Sequence, residues 1–299
     1  MTAKQLADTN FKKPFLDTSV LIKWYLGTTA YKTYLKTAIN NKLPYINSFV
    51  KMEFMRAVLF LLVNFYEECK LPYYTSIDDV LKSWSNKFHQ REVKMILLLA
   101  PEILKHCATP STDKNIQITR LGDFIVMFAD EIKEEMRMCN CEHINCKKGE
   151  LQFNVGETIE EIINNFKTSF TNTEPLETNC KLKAVINSDI ARIDQLKTQA
   201  AKVSDRKSEG FRELVKRIQE IKSTASFKCA DCDKIGDFMV ALTCPSSHAG
   251  QTLDNSFSYL GPIFKKDFTI LKSEPAHIKS LAMTNTPKCS VPATTPPRP

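Results

Sequence analysis

The stretch Phe15-Leu16-Asp17-Thr18-Ser19-Val20-Leu21-Ile22 decides how the rest of the chain is read. An apolar run is broken by Asp-Thr-Ser and then resumes. Strands buried on both faces read as short continuous apolar runs. The segment therefore predicts a buried strand that delivers Asp17 at its C-terminal end and is followed by a helix. Pro44-Tyr45-Ile46-Asn47 predicts a second short strand. Ser48, a good N-cap, then opens a long helical stretch through Cys69 that carries Glu53 in its first turns. Strand, helix, strand, helix at these spacings calls for a right-handed βαβ unit. The fold class that follows is α/β, with a central parallel sheet flanked by helices.

Farther along, Ser76-Ile77-Asp78-Asp79 caps one helix, and residues 91–99 form another that ends near Pro101. A further helix is expected from about Leu121 to Met138. The texture then changes at Cys139-Asn-Cys-Glu-His-Ile-Asn-Cys146, and a Glu-, Asn- and Thr-rich stretch runs to Cys180. Residues 187–223 predict an antiparallel helical hairpin. Ile193, Leu196, Ala200 and Val203 line one face, and Phe211, Leu214, Val215, Ile218 and Ile221 line the next, with Ser204 to Gly210 between them. After Phe227 the βα pattern returns. Gly236 to Leu242 opens as a helix with Asp237 in its first turn, and Gln251-Thr252-Leu253-Asp254 ends a buried strand, followed by Phe257 and Leu260. The expected organisation is an N-terminal tail (1–13), the first part of an α/β domain (14–138), a mainly helical insertion (139–226), the second part of the domain (227–283) and a disordered Thr/Pro-rich tail (284–299).

Four acids matter because of where they fall. Asp17 and Asp254 end strands, while Glu53 and Asp237 lie near helix starts. In an open parallel sheet, strand C-termini and helix N-termini share the edge where ligands bind. Carboxylates that close repel one another unless a cation neutralises them. Hard divalent ions with oxygen shells, Mg²⁺ or Mn²⁺, suit such a cluster, and one or two of them would activate water and offset charge on a phosphate under attack. On topology alone, an acid at a helix N-terminus is usually a cap or dipole partner.

These blocks carry a resemblance. Phe-Leu-Asp17-Thr-Ser-Val-Leu-Ile is similar to the opening strand of PIN-domain ribonucleases. Asn47-Ser-Phe-Val-Lys-Met-Glu53-Phe-Met-Arg-Ala resembles their second block, and Asp237-Phe-Met-Val-Ala their third. Thr252-Leu-Asp254-Asn-Ser-Phe257 resembles the fourth, Thr-x-Asp-x-x-Phe. The resemblance covers roughly residues 14 to 60 and 230 to 262, and the middle of the chain lies outside it. It implies a PIN-like three-layer fold and hydrolysis of RNA phosphodiester bonds by Asp17, Glu53, Asp237 and Asp254 holding Mg²⁺ or Mn²⁺. Thr18, Ser19 and Thr252 fall where that family places small hydroxyl residues near the metal, although satisfying strand-end backbone groups is an equal role for them. The chain is far longer than the small toxins of the family. An RNA substrate, an antitoxin protein and a second copy of the chain are the partners the resemblance raises. A second Gly-Asp-Phe, at Asp123, competes with Asp237 for the third position. Asp237 is preferred because Thr252-x-Asp254 follows it at the family's distance, which leaves Asp123 a helix N-cap.

Cys139, Cys141, His143 and Cys146 crowd together, and Cys229 and Cys232 form a Cys-x-x-Cys pair just before Asp237. Short-spaced pairs from two segments suit structural Zn²⁺, although the spacing of the first cluster matches no standard zinc finger and reduced thiols are the alternative. Cys69, Cys107, Cys180, Cys244 and Cys289 show no pairing pattern. His89, His106, His248 and His277 show no catalytic partner.

Composition bounds the remaining classes. The 299 residues carry 41 Lys and Arg against 34 Asp and Glu, a net charge of +7. That is compatible with a polyanionic partner without nominating one. Ala57 to Tyr66 is too short for the roughly 20 apolar residues of a bilayer span. Met1 to Lys13 has no apolar stretch of the secretory kind, so a cytoplasmic location with reduced cysteines is expected. From Lys181 to Lys228 basic residues outnumber acidic ones, either as an RNA-gripping arm or as the solvated face of the hairpin. Trp24, Tyr25, Tyr45 and Phe49 stack bases or pack the core. Two other classes remain open. A non-catalytic nucleic-acid-binding or regulatory protein on the same scaffold is disfavoured by the four intact acids. A flap-type DNA nuclease is disfavoured by the scarcity of glycine, with eight in the chain.

Overall fold

Three buried residues in a row, Pro14, Phe15 and Leu16, make β1 (Lys13–Leu16) the central strand of a five-stranded, all-parallel sheet. The computed structural model describes residues 12–87, 113–135, 137–142, 158–170, 182–223 and 235–273. The other strands are β2 (Tyr45–Ile46), β3 (Arg137–Met138), β4 (His248–Thr252) and β5 (Asp267–Ile270), in the order β3-β2-β1-β4-β5. On one side Phe15 is in register with Tyr45. On the other, Lys13 through Leu16 lie opposite His248 through Gln251. The chain thus builds outward from β1 through β2 to β3 and returns on the far side for β4 and β5. The order reverses between β1 and β4, where the connections leaving the two strands diverge and open a crevice at their C-terminal ends.

The sheet is flanked by helices, and the architecture is the three-layer α/β arrangement expected. After β1 come α1 (Thr18–Leu26) and α2 (Thr29–Ala38). After β2 come α3 (Ser48–Phe54), a π-helical turn (Met55–Leu59) and α4 (Phe60–Cys69), then α5 (Ile77–Lys87). The π turn follows directly on the segment carrying Glu53, and such turns occur mostly as single interruptions of this kind. Next are α6 (Lys114–Glu135), α7 (Ile159–Phe170), α8 (Leu182–Ser188), α9 (Ile190–Lys202) and α10 (Glu209–Ser223). Finally α11 (Gly236–Thr243) leads into β4, and α12 (Phe257–Phe264) into β5. The buried apolar side chains of the sheet and helices, from Phe15 and Leu16 to Phe211 and Phe238, form one continuous core. Among the described residues no helix is long and apolar enough to cross a membrane.

Several details differ from the sequence reading. The helix expected from Leu121 begins at Lys114 and stops at Glu135, and Arg137–Met138 pairs with Tyr45–Ile46 as a strand. Asn47, not Ser48, caps α3: its side chain accepts from the Val50 N–H at 3.0 Å. Ser48 is already helical. Asp123 lies deep inside α6 and caps nothing. The strand β5 follows the last segment that sequence pattern had marked. The helix expected at 91–99, the C-terminal tail and residues 1–11 lie outside the described residues, while Lys13, expected in the N-terminal tail, opens β1 by pairing with His248.

The two ends of Ser76-Ile-Asp-Asp behave as a capping box. The Ser76 hydroxyl accepts from the Asp79 N–H at 3.2 Å, and Asp79 accepts from the Ser76 N–H at 3.1 Å. The hairpin residues pack as their spacing predicts, with Ile193, Leu196, Phe211, Leu214, Val215, Ile218 and Ile221 buried. Ala200 and Val203 are half-buried against the same core. A short 3₁₀ turn (Arg206–Ser208) joins the two helices.

Candidate functional site

The crevice between β1 and β4 is built around Asp17. Its own N–H donates to the Gln251 carbonyl at 3.0 Å, which carries the β1–β4 ladder one residue past the strand and fixes the backbone there. Its carboxylate then starts α1: Oδ1 accepts from the Thr18 N–H at 2.7 Å. Oδ2 accepts from the Ser19 hydroxyl at 2.7 Å and from the Thr252 hydroxyl at 2.9 Å. The carboxylate is almost fully buried, at 4% exposure. Burial pushes its pKa above the usual carboxyl range. The Ser19 and Thr252 hydroxyls and the Thr18 N–H pull it back, and the charge of Asp254 pushes it up further. Among the described residues no lysine or arginine forms an ion pair with Asp17 or Asp254.

The same hydroxyls reach the other acids. Thr252 Oγ1 accepts from the Asp254 N–H at 3.0 Å, so one side chain touches Asp17 and sets the turn that bears Asp254. Ser19 Oγ accepts from the Leu253 N–H at 3.2 Å and ties that turn to α1. Asp254 in turn accepts from the Ser256 N–H at 2.7 Å. Phe257 anchors the turn from below: it is buried, and its ring packs on Phe268 with centroids 4.5 Å apart. Phe268 itself lies over Gly250, where a Cβ would stand 2.2 Å from the ring. The spacing Thr-x-Asp-x-x-Phe therefore has a local cause on this chain.

On the other side of Asp17, the Thr18 hydroxyl donates to Glu53 Oε2 at 2.5 Å. The second oxygen of Glu53 sits where a side chain at position 236 would be, since a Cβ on Gly236 would fall 2.4 Å from Oε1. Glu53 thus lies against the N-terminus of α11, and Asp237 is the next residue, in the first turn of that helix. The two helices are also tied at their other ends. Asn47, fully buried, donates from Nδ2 to the Thr243 hydroxyl at 3.0 Å, and Thr243 donates to the Met239 carbonyl.

Asp17, Glu53 and Asp254 therefore fall along one edge, linked through Thr18 and Thr252, and Asp237 follows Gly236, whose backbone lies against Glu53. Gly236 and Asn47 are site-building residues that sequence reasoning did not single out. Asn47 stood inside the quoted second block, and Gly236 shares its Gly-Asp-Phe with Gly122. As the side chains are placed, no three His, Cys, Asp or Glu residues among those described already converge as ligands of one ion. The donor set is nonetheless all oxygen, and its innermost carboxylate is buried without a described cation beside it. That chemistry fits a hard divalent ion.

The cysteine cluster is only partly within the described residues. The Cys139 N–H donates to the Ile46 carbonyl at 2.8 Å and its thiol to the same oxygen at 3.3 Å, extending the β2–β3 ladder. Burial, with the neighbouring Cys141, pushes the Cys139 thiol up to about 12. Cys141 Sγ lies 3.2 Å from the Ser48 hydroxyl. Cys146, Cys229, Cys232 and His143 lie outside the described residues, as do Cys107, Cys180, Cys289, His89, His106 and His277. Cys69 and Cys244 are buried. His248 is buried at the start of β4, edge-on to Tyr45. Tyr25 and Phe49 are core residues.

Comparison of the chain with models of protein families, with curated proteins and with solved structures finds no match.

Proposed function

We propose that the chain is a divalent-metal-dependent nuclease that hydrolyses RNA phosphodiester bonds, with PIN-domain architecture. The observation that carries the reading is the Asp17 carboxylate. It is buried at the switch point of a parallel sheet, held by two hydroxyls and an N–H, and linked through Thr18 to Glu53 and through Thr252 to the turn that carries Asp254, with Asp237 one residue beyond the Gly236 that lies against Glu53. A buried carboxylate either takes up a proton or has its charge offset, and the three hydrogen bonds on Asp17 leave its pKa still raised. No described cationic side chain offsets its charge here. An ion held by Asp17, Glu53, Asp237 and Asp254 would.

Each residue then has a task. Ser19 and Thr252 hold Asp17 in one orientation with their hydroxyl hydrogens pointing at Oδ2, which leaves its remaining lone pairs for a ligand. Thr18 does the same for Glu53, and Gly236 leaves the space Glu53 occupies. Asp254, exposed at the rim, and Asp237, at a helix N-terminus, complete the negative ring. A bound Mg²⁺ or Mn²⁺ supplies an activated water and a counter-charge for the phosphate. Catalysis of this kind depends on groups already oriented before the substrate arrives, as these hydroxyls arrange.

The test is incubation of the purified chain with single-stranded RNA and with DNA of the same sequence, in Mn²⁺ or in EDTA. Cleavage of RNA that EDTA abolishes is expected, and no metal-dependent cleavage of either would defeat the reading. A second readout does not need activity. Mn²⁺ at about 100 times its Kd stabilises a protein by about 2.7 kcal/mol, so the melting temperature of the wild type rises with Mn²⁺ and that of Asp17→Asn does not.

A further inference from the structure

The helical hairpin ends beside the carboxylate edge. α9 runs antiparallel to α12: the Arg192 guanidinium, near the start of α9, lies 5.3 Å from the Phe264 ring at the end of α12. Ile263 faces Ala191 and Asp194 across a shallow depression. At the opposite end, a Cβ on Gly210 would stand 3.5 Å from the Ser256 hydroxyl, and the Phe211 ring stacks on Tyr259 at 4.8 Å. Ser256 is the residue whose N–H holds the Asp254 carboxylate. The connection from Val203 to Ser208 is therefore carried to the same edge as the four acids.

Cations run along the whole hairpin, with Lys216 and Lys222 on α10 also lacking a carboxylate partner among the described residues, and they are densest at its tip. Away from the tip, Arg192 pairs with Asp189 at 2.8 Å, Lys197 with Asp194 at 3.6 Å, and Arg217 with Glu213 at 3.1 Å. At the tip, Lys202, Arg206, Lys207 and Arg212 are exposed, and among the described residues none has a carboxylate partner. Of the two acids there, Asp205 is engaged by the Ser208 N–H at 2.9 Å, which closes the 3₁₀ turn. Surface cations left unpaired beside an edge lined with carboxylates have a physical use. The acids repel a polyanion, and cations at the rim restore attraction and fix where its backbone runs.

We propose that the tip of the hairpin, through Arg206 and Lys207 with Lys202 and Arg212 flanking them, grips the phosphodiester backbone of a single-stranded nucleic acid next to the scissile bond. The choice of occupant rests on the nuclease reading of the carboxylate edge; the grip is a separate surface with its own measurement.

The experiment is binding of fluorescent single-stranded RNA and DNA of one sequence to the full chain in EDTA, across a salt series, alongside the cleavage assay in Mn²⁺. Each phosphate contact on a single strand contributes about 0.7 to the slope of log K against log salt. Arg206→Ala with Lys207→Ala should lower that slope by about 1.4 and weaken binding at low salt. Arg206→Glu with Lys207→Glu should weaken it further. Lys197→Ala with Arg217→Ala, at paired sites, should leave the slope unchanged. Both tip residues are exposed, so the melting temperature should hold and report any misfolding. A slope indifferent to the tip variants, or absent binding by the wild type, overturns the grip. Cleavage with a tip-independent slope removes the grip and keeps the nuclease. Tip-dependent binding without cleavage removes the nuclease and keeps the grip.

Discussion

The chain contains Gly-Asp-Phe twice, at Gly122-Asp123-Phe124 and at Gly236-Asp237-Phe238, and the two copies stand in different physical settings. The first lies in the middle of α6, where Gly122 faces Tyr66 and Ile159 and Asp123 points into an open groove of about 1030 Å³. That groove is more acidic than the proposed site, with Asp123, Asp130, Glu131, Glu135 and Glu160 on its walls. These acids come from two helix surfaces, and Asp123, Glu131, Glu135 and Glu160 are exposed to water. The four acids of the proposed site come from four separate elements, and hydroxyls and backbone N–H groups orient Asp17, Glu53 and Asp254. Acid count does not distinguish a site from a solvated helix face. What sets the second setting apart is that acids from elements distant in sequence are joined by directed hydrogen bonds.

The sharpest way to break this contrast is to neutralise each aspartate. Losing one preorganised electrostatic group at a reacting centre costs on the order of 10²–10³-fold in rate. Asp237→Asn should lower metal-dependent cleavage by that order, and Asp17→Asn by at least as much. Asp123→Asn should leave the rate unchanged. Single-turnover cleavage measures all three, and full activity in Asp237→Asn with loss in Asp123→Asn would reverse the assignment.

Next in size is the hydroxyl that joins two of the acids. Thr252→Val keeps the shape of a fully buried side chain and removes its bond to the Asp17 carboxylate and to the Asp254 N–H. A hydrogen bond to a charged group contributes about 1.5–3 kcal/mol. Denaturant unfolding of Thr252→Val should show a loss of that order, and Thr252→Ser should recover most of it. Equal stability of the two variants would mean that the hydroxyl bridge does not organise this edge.

A carboxylate that does have a cation gives the opposite pH behaviour to Asp17. Glu142 accepts from the buried Lys266 ammonium and from the N–H and hydroxyl of Ser246. Burial works against its charge, but Lys266 and Ser246 outweigh it and hold its pKa below the usual value. A depressed carboxylate pKa means stability that is present above the unfolded-state pKa, about 4.5, and lost as pH falls through the folded value. Glu142→Ala leaves Lys266 buried without that partner and should cost about 1–3 kcal/mol at neutral pH. Melting temperatures of variant and wild type should converge as pH drops below the carboxylate range. A gap that stays constant with pH would show that Glu142 acts through packing alone.

How much of this was written in the sequence depends on how local each feature is. β1 and Asp17 were legible because a buried strand leaves a continuous apolar run, and α10 was legible because its stripe repeats at the helical period. β3 was not: two residues have no period, and Arg137–Met138 read as the end of the preceding helix. The start of α6 was missed because its first turn, Lys114, Asn115 and Gln117, is polar. β5 alternates Asp267, Phe268, Thr269 and Ile270 at an exposed edge, with too little apolar signal to separate it from a loop. The order of the four acids could be read, but what links them could not. The fit of Glu53 against Gly236 joins residues 183 positions apart, and nothing in either neighbourhood announces it.

The two glycines make that last point testable with the smallest change available. Gly122→Ala adds a methyl at 3.4 Å from the Tyr66 ring and 3.6 Å from Ile159, ordinary packing distances in the interior of a long helix. Replacing a mid-helix glycine with alanine removes backbone entropy from the unfolded chain and gains about 0.5–1 kcal/mol. The variant should melt at a higher temperature and cleave normally. Gly236→Ala adds the same methyl 2.4 Å from Glu53 Oε1. The carboxylate is the movable end of its side chain, so it yields, and stability should change little. The cost should fall on the metal instead. Changes to the groups that orient a ligand lower metal affinity about 10- to 100-fold, and Mn²⁺ titration of the melting temperature should show a shift of that order. Affinity untouched by Gly236→Ala would mean that Glu53 is not held where its contact with α11 puts it. The second Gly-Asp-Phe would then owe its setting to packing alone, like the first.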